Sequence, residues 1–217
     1  MGEFGLSQPV RRTEDPIFLT GRGRYVDDIK LAGTLQAHVL RSPHAHAIIN
    51  SIDTSKARDV PGVHLILTGA DYESAGLGAM PSMNPPSPGW DPEAMYMPPQ
   101  LALATDMARY VGDGIAFIVA ESVTAAQDAA ELIDVEYAPR PPVIETASAA
   151  DPTSATVWPE RPDNIAFTHT AGDKAATDAA FKAADHIVTR NIRINRVAAN
   201  SMEARAILAS YDREADF

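Results

Sequence analysis

A continuous apolar run, Gly-Ile-Ala-Phe-Ile-Val-Ala at residues 114–120, constrains the fold more than any other stretch of the sequence. Seven residues without a polar side chain are typical of a strand that is covered on both faces. Residues 134–137 predict a second strand. Between them, a cap at Ser122 or Thr124 predicts a helix with one apolar side, formed by Val123, Ala126, Ala130 and Ile133. This part of the chain therefore predicts a helix packed on a mixed sheet, in the α/β (α+β) class.

Residues 34–67 predict further strands. Apolar residues alternate with polar ones around Ala37, and the alternation resumes with Ala47 and Ile49 on one face. A period of two is typical of strands with one buried face. The elements predicted here are strands at 35–39, 45–52 and 63–67, with a short helix or turn at 53–60 before Pro61-Gly62.

Two proline-rich stretches interrupt this pattern. Seven prolines lie between Pro81 and Pro99, within a segment at 74–100 that also carries four methionines. Proline removes backbone donors, so we expect no regular element there. The segment suits either an adaptable contact surface or an exposed insertion. Residues 139–163, which begin with three prolines, are the best candidate for a linker.

The remaining chain predicts a second, weaker unit. Strands are expected at residues 164–169 and 186–194, with a helix capped by Asp173 between them. A last strand is expected at residues 205–211, and as an edge strand it would normally be covered by a partner. We therefore expect further chain beyond residue 217 and an exposed apolar surface near residues 186–217.

Composition excludes several classes of function. The 217 residues carry a net charge of −11 and no cysteine. An acidic chain repels nucleic acid, and without cysteine it holds no disulfide or iron–sulfur cluster. The apolar run at 115–120 is far shorter than a membrane span. Residues 1–10 lack the pattern of a secretory signal, so a cytoplasmic protein without membrane insertion is expected.

Three short motifs are candidates for functional sites. Gly21-Arg22-Gly23-Arg24-Tyr25 lacks the third glycine and the lysine of phosphate loops, which favours a tight glycine turn before a strand. His44 and His46 would share one face of a strand, but a zinc site needs a further ligand, so a non-metal role is favoured. Glu203 and Arg205 would also share a strand face, where pairing is favoured over catalysis. No residue is therefore predicted to be catalytic, cofactor-binding or metal-binding.

Several motifs, in order along nearly the whole chain, resemble one family. The first is Glu14-Asp15-Pro16 with Thr20-Gly21-Arg22-Gly23-Arg24-Tyr25. The others are Arg41-Ser42-Pro43-His44, Val60-Pro61-Gly62-Val63, Leu67-Thr68-Gly69-Ala70-Asp71, Arg109-Tyr110-Val111-Gly112, Val135-Glu136-Tyr137, Asn164-Ile165-Ala166-Phe167 and Met202-Glu203-Ala204-Arg205. The chain resembles the molybdenum-binding large subunits of the xanthine dehydrogenase and aldehyde oxidase family, nearest to aerobic carbon monoxide dehydrogenases.

The resemblance implies an architecture. Residues 1–19 would be an N-terminal extension, 20–140 an a/b hammerhead domain, 141–163 a linker, and 164–217 the start of the first molybdopterin-binding domain. The essential glutamate of the family lies downstream of this span, so Glu203 is not that residue. The chain departs from the family pattern at Asp113-Gly114, where Glu-Pro is usual, and at Ala204, where proline is usual.

The resemblance also implies a function. The chain would be the N-terminal structural portion of a molybdenum hydroxylase, an oxidoreductase in which water supplies the oxygen. It would bind no cofactor alone; the complete subunit would hold molybdenum-molybdopterin, and partner subunits would hold FAD and iron–sulfur clusters. Carbon monoxide, aldehydes and nitrogen heterocycles remain open as substrates. The alternatives are a stand-alone binding module on the hammerhead fold and a His44/His46 metalloprotein.

Overall fold

A computed structural model describes residues 11–81, 95–195, 197–201, 203 and 205–212. The contacts divide the chain into two units, residues 35–185 and residues 1–34 with 186–217. In chain order the elements are α1 (Asp15–Leu19), β1 (Gln36–Arg41), β2 (Ala47–Asp53), α2 (Ser55–Arg58), β3 (Val63–Thr68), α3 (Gly69–Ser74), β4 (Met107–Ala108), β5 (Gly114–Ala120), α4 (Val123–Glu131), β6 (Asp134–Pro139) and α5 (Lys174–Ala183).

The apolar run at 114–120 forms β5, the central strand of a three-stranded sheet in the order β1-β5-β3. Both neighbours pair with it antiparallel. Five of its seven residues are buried, because α4 covers one face and part of a second core lies against the other. The prediction of a strand covered on both faces is confirmed.

A second sheet has the order β4-β2-β6, again with antiparallel pairs. The sequence predicted that β5 and β6, the strands before and after one helix, belong to the same mixed sheet. They lie in different sheets. All strand pairs in the described part of the chain are antiparallel, so the expectation of a mixed sheet is wrong. The α/β class itself, with helices packed on strands, is confirmed.

Helix α4 packs on the first sheet through alanines. The hydroxyl of Ser122 caps it by accepting a hydrogen bond from the amide of Ala125 at 3.1 Å. The buried residues are Ala126, Ala129 and Ala130, followed by Ile133, whereas Val123 is 46% exposed. The expected apolar side was therefore wrong at Val123, in the first turn of the helix.

The strands predicted at 35–39, 45–52 and 63–67 are confirmed as β1, β2 and β3, and the short helix predicted between the last two is α2. Ala47 and Ile49 are buried as expected. In β1 the predicted apolar face is wrong, because Ala37 is exposed while Gln36 and His38 are half-buried. Of the segment predicted to be irregular, residues 82–94 lie outside the described residues.

The predicted strands after residue 163 do not form. Residues 164–169, 186–194 and the described part of 205–211 have no regular secondary structure. A strand is stabilised by pairing with a neighbour, and no named strand of the described chain pairs with these segments. The helix predicted after Asp173 is confirmed as α5, whose cap accepts from the amide of Ala176 at 2.9 Å.

Helix α3 was not predicted, and its start is fixed by Asp71. One carboxylate oxygen of Asp71 accepts hydrogen bonds from the backbone amide and the hydroxyl of Thr68, each at 2.8 Å. These bonds, the amide first, hold the pKa of Asp71 below its ordinary value of 3.8, although burial acts in the opposite direction. The signal in the sequence is a threonine followed three residues later by an acid.

The substitution Asp71→Asn tests this cap. Because the pKa of Asp71 is lower in the folded chain, its contribution is complete above pH 3.8 and is lost as the pH falls through the folded value. We expect Asp71→Asn to lower the free energy of unfolding by about 1 kcal/mol at neutral pH. The difference in the free energy of unfolding between Asp71→Asn and wild type should become smaller as the pH falls below 3.8. Urea unfolding at neutral and acidic pH measures both the loss and its pH dependence. Glu73→Gln, an exposed change on the same helix, should show neither.

Candidate functional site

The glycine motif near the N-terminus forms a turn within its own unit. Gly21 follows α1 with a φ of 69°, a left-handed conformation that favours glycine. A Cβ on Gly23 would lie 2.6 Å from the ring of Phe18, which stacks on Tyr25 with centroids 5.7 Å apart. The expected tight turn is confirmed, but a short 3-10 turn at Val26–Asp28 follows it instead of a strand.

The two histidines of the chelation hypothesis lie just before β2 and have separate partners. The ring of His44 tilts against Tyr137, with centroids 4.8 Å apart. His46 is buried; its Nδ1 lies 2.9 Å from the carbonyl oxygen of Pro141 and its Nε2 lies 3.1 Å from the sulfur of Met107. Among the described residues, no three His, Cys, Asp or Glu side chains are placed to hold a metal ion.

Glu203 and Arg205 are both exposed on a segment without regular secondary structure. The expected strand is absent there, so the argument that their side chains share one strand face no longer holds. Six acidic residues that follow no motif are exposed, namely Asp27, Asp28, Asp128, Glu131, Asp134 and Glu136. Among helices in the described part of the chain, none has the length and apolar character needed to cross a bilayer.

A buried polar junction links the end of β1 to the start of β5. The backbone groups of Ser42 pair with Gly112 and Asp113 through two hydrogen bonds of 2.8 Å. The carboxylate of Asp113 is buried and accepts from the backbone amide of Arg109 at 3.1 Å. Burial, and then the charge of Asp113, raise the pKa of Tyr110. Asp113 is a departure from the expected family pattern, and its role in this loop has no signal in the local sequence.

Two glycines hold the segment at residues 102–105 against the sheets. A Cβ on Gly69 would lie 2.2 Å from the carbonyl oxygen of Ala104, and one on Gly114 would lie 2.8 Å from that of Ala102. The amide of Ala104 donates to the carbonyl oxygen of Gly114 at 2.7 Å. Neither glycine has a positive φ, so close backbone approach is the reason for glycine at both positions.

This segment forms the floor of a cleft of about 680 Å³ within the 35–185 unit. The volume is in the range of ligand-binding cavities. One wall comes from the chain around residues 98–110 and the other from residues 157–160. The lining is apolar at Met80, Leu101, Met107, Val157 and Trp158, and charged at Asp106, Arg109, Asp113 and Glu160.

The two walls are joined by stacked cations and aromatic rings. The guanidinium of Arg109 lies 3.9 Å from the ring centroid of Trp158, and Tyr96 meets Trp158 edge to face at 6.1 Å. The guanidinium of Arg161 lies 5.5 Å from the ring centroid of Tyr96. The hydroxyl of Tyr96 donates to Glu160 at 3.2 Å. Burial, followed by this hydrogen bond, raises the pKa of Tyr96.

Asn164 positions the wall that carries Trp158. It has a φ of 56°, a left-handed conformation that asparagine tolerates. Its amide nitrogen donates to the carbonyl oxygens of Ala149 and Ala155 at 2.9 and 2.8 Å, and its carbonyl oxygen accepts from the amide of Val157 at 3.0 Å. The cleft and its wall were missed by sequence analysis, because the residues that form them are far apart in the chain.

Comparisons with known proteins point to one family. The model for the a/b hammerhead domain of aldehyde oxidase and xanthine dehydrogenase matches residues 20–141, and the model for a molybdopterin cofactor-binding domain matches residues 157–217. The nicotine 6-hydroxylase large subunit of Paenarthrobacter nicotinovorans is 41% identical over 95% of this chain and 24% of its own length. The carbon monoxide dehydrogenase large chain of Afipia carboxidovorans is 34% identical over 96% of this chain and 26% of its own.

Solved structures agree with these matches. A Cu,Mo-CO dehydrogenase in its carbon monoxide reduced state has a TM-score of 0.66 at 35% identity, over 82% of this chain and 22% of that chain. Quinoline 2-oxidoreductase from Pseudomonas putida 86 has a TM-score of 0.57 at 42% identity, over 65% of this chain and 17% of its own. The chain thus spans about a quarter of the length of the curated relatives it matches.

The substitution Gly69→Ala tests the close approach at the floor of the cleft. Its added methyl group would overlap the backbone of Ala104, so the segment has to shift. We expect a loss of about 1–3 kcal/mol in the free energy of unfolding, measured with urea. Gly78→Ala is the matched control, because a Cβ there meets nothing within 4 Å. An equal effect of the two substitutions would contradict the close approach.

The substitution Trp158→Ala tests the joint between the walls. It removes the ring contacted by Arg109 and Tyr96, and we expect a loss of about 2 kcal/mol in the free energy of unfolding. The amide of Tyr96, which donates to the carbonyl oxygen of Ala166 at 2.7 Å, should exchange its hydrogen faster. Trp158→Phe keeps an aromatic ring and should lose less. Unchanged exchange at Tyr96 in Trp158→Ala would show that the walls are held by other contacts.

Proposed function

The chain belongs to the aldehyde oxidase and xanthine dehydrogenase family, and on this basis we propose that it is the N-terminal structural portion of a molybdenum hydroxylase large subunit. In this role it supports the cofactor-binding domain and offers docking surfaces to partners, and it is not catalytic alone. The proposal is supported by the two family models and by relatives that are large subunits of hydroxylases and dehydrogenases.

The proposed domain division follows the resemblance. Residues 1–19 form an extension, 20–140 the hammerhead domain, 141–163 a connection and 164–217 the start of a molybdopterin-binding domain. In this division the connection packs on the hammerhead domain, because the ring of Trp158 contacts the guanidinium of Arg109. A hammerhead domain with its own two sheets and alanine-lined core provides a rigid support for a neighbouring domain.

The described residues do not suit molybdopterin by themselves. A pterin cofactor with a phosphate group requires a concentration of donors and positive charge. The cleft instead places three acids, Asp106, Asp113 and Glu160, against the one cation Arg109. We therefore propose that this chain alone binds no cofactor and that the molybdenum cofactor is held by the complete subunit. No reaction step is assigned to the residues of this chain.

The proposed partners are the remainder of the large subunit, an FAD-binding subunit and an iron–sulfur subunit. Placing the iron–sulfur clusters in a partner subunit suits a chain without cysteine, because such clusters are held by thiolates. Water would supply the oxygen in the hydroxylation carried out by the complete enzyme. Carbon monoxide, aldehydes and nitrogen heterocycles all remain substrate classes for that enzyme, since the relatives named here differ in substrate.

The observation that carries the structural role is an exposed apolar surface at residues 187–207. The prediction of such a surface is confirmed: Ile192, Ile194 and Ile207 are 84%, 87% and 93% exposed, and Val188 and Val197 are exposed as well. Large apolar patches on soluble proteins often mark interaction sites, and these exposed side chains support such a role for the segment. In the proposed subunit the remaining part of the molybdopterin-binding domains covers it.

A stand-alone binding module on the hammerhead fold is the second candidate. The observation in its favour is that the two buried cores of the described chain are built from residues of the 35–185 unit. Limited proteolysis separates the two proposals. A stable core ending near Pro139–Pro142, with the remainder digested, favours the module, and equal protection through residue 210 favours the subunit.

The first experiment is affinity isolation of the chain from its native host, followed by mass spectrometry and molybdenum analysis. We expect a companion polypeptide carrying the rest of the molybdopterin-binding domains, and molybdenum in the sample. A variant with Val188, Ile192 and Ile194 each changed to serine should lose the companion, because it removes exposed apolar surface. Leu77→Ser, at an exposed leucine of the other unit, should retain it. A wild-type chain recovered alone and without molybdenum would refute the proposal.

A further inference from the structure

The cleft has a shape that does not depend on a bound molecule. Its floor is held by the backbone contacts of Gly69 and Gly114, and its walls are joined through Arg109, Trp158 and Tyr96. A binding surface that is already formed loses little conformational entropy when a partner enters. The described part of the cleft is therefore held in place by contacts within the chain itself.

The charged groups of the cleft favour a positively charged binding partner. Three acids and one base line it, and the side chain of Asp106 is 69% exposed whereas that of Arg109 is 18% exposed. Arg109 contacts Asp106 at 3.5 Å but lies largely under the ring of Trp158. Asp113 is buried, with the amide of Arg109 as a donor, so the exposed carboxylates of the lining are Asp106, which contacts Arg109, and Glu160, which accepts from the hydroxyl of Tyr96.

The floor and walls between these charges are apolar, which a small inorganic ion would not use. Met80, Leu101, Met107 and Val157 offer methyl and thioether groups that adapt to varied side chains. An occupant that matches this lining therefore carries apolar side chains beside its charge.

We propose that this cleft docks a polypeptide segment in which a lysine or arginine lies between apolar residues, supplied by the rest of the large subunit. The basic side chain pairs with Asp106 and Glu160, and the apolar neighbours contact Met107 and Val157. This proposal rests on the proposed function, because the relatives are about four times as long as this chain. The cleft is distinct from the exposed apolar surface at residues 187–207.

The test uses synthetic peptides of about 15 residues that tile the nicotine 6-hydroxylase large subunit outside the part matched here. Each peptide carries a fluorophore, and its binding to the whole chain is measured by fluorescence anisotropy at low and high salt. We expect binding by a peptide with a basic residue between apolar ones. The double variant Asp106→Asn with Glu160→Gln should weaken that binding about fivefold, as expected for two partly exposed ion pairs, and salt should weaken it in wild type.

The matched control is the double variant Asp128→Asn with Glu131→Gln, which removes the same two charges from the exposed side of α4 and should leave binding unchanged. Equal weakening in both double variants would overturn the proposal, since it would reflect net charge alone. Failure of every peptide to bind would also overturn the proposal. Binding of the small organic cation benzyltrimethylammonium when no peptide binds would overturn it as well. A companion recovered from the host alongside such a failure would leave the proposed function standing while removing the cleft as a docking site.

Discussion

The burial of β5 is the constraint on which the rest of the 35–185 unit depends. β5 pairs on both edges, with β1 and with β3, and its side chains enter two cores on opposite faces of the sheet. The alanines of α4 let that helix approach the strand closely, so Ile66 and Ile118 are almost fully buried beneath it. Burying side chains of this size contributes about 1.5–3 kcal/mol each. Part of the cleft floor is fixed by this sheet, because Gly114 at the start of β5 holds the backbone near Ala102 and Ala104.

The sequence predicted the parts of the fold that rest on local pattern. β2, β3, β5 and α4 were placed correctly because an apolar period of two, or a cap followed by alanines, is visible within ten residues. The faces of β1 and the first turn of α4 were wrong, since burial there depends on which element lies opposite. The allocation of β5 and β6 to two sheets is a tertiary property that no local pattern contains.

The candidate site could be predicted far less well than the fold. Arg109, Trp158 and Tyr96 are separated by up to 62 positions, and their contact depends on the turn that Asn164 holds. The strands expected at 186–194 and 205–211 illustrate the opposite case. Alternating isoleucine and valine favour a strand, but β-propensity reflects packing against neighbouring strands. No named strand of the described chain pairs with these segments. The same side chains appear instead as exposed apolar surface.

The departure from the family pattern at Asp113-Gly114 has a structural consequence. The resemblance leads us to expect Glu-Pro here, and the absence of proline by itself would relax the backbone. In this chain Gly114 lets the backbone at Ala102 approach to a distance that a Cβ would prevent, and Asp113 is buried against the amide of Arg109. The same pair of residues therefore sets the depth of the cleft floor and the position of Arg109 in its wall.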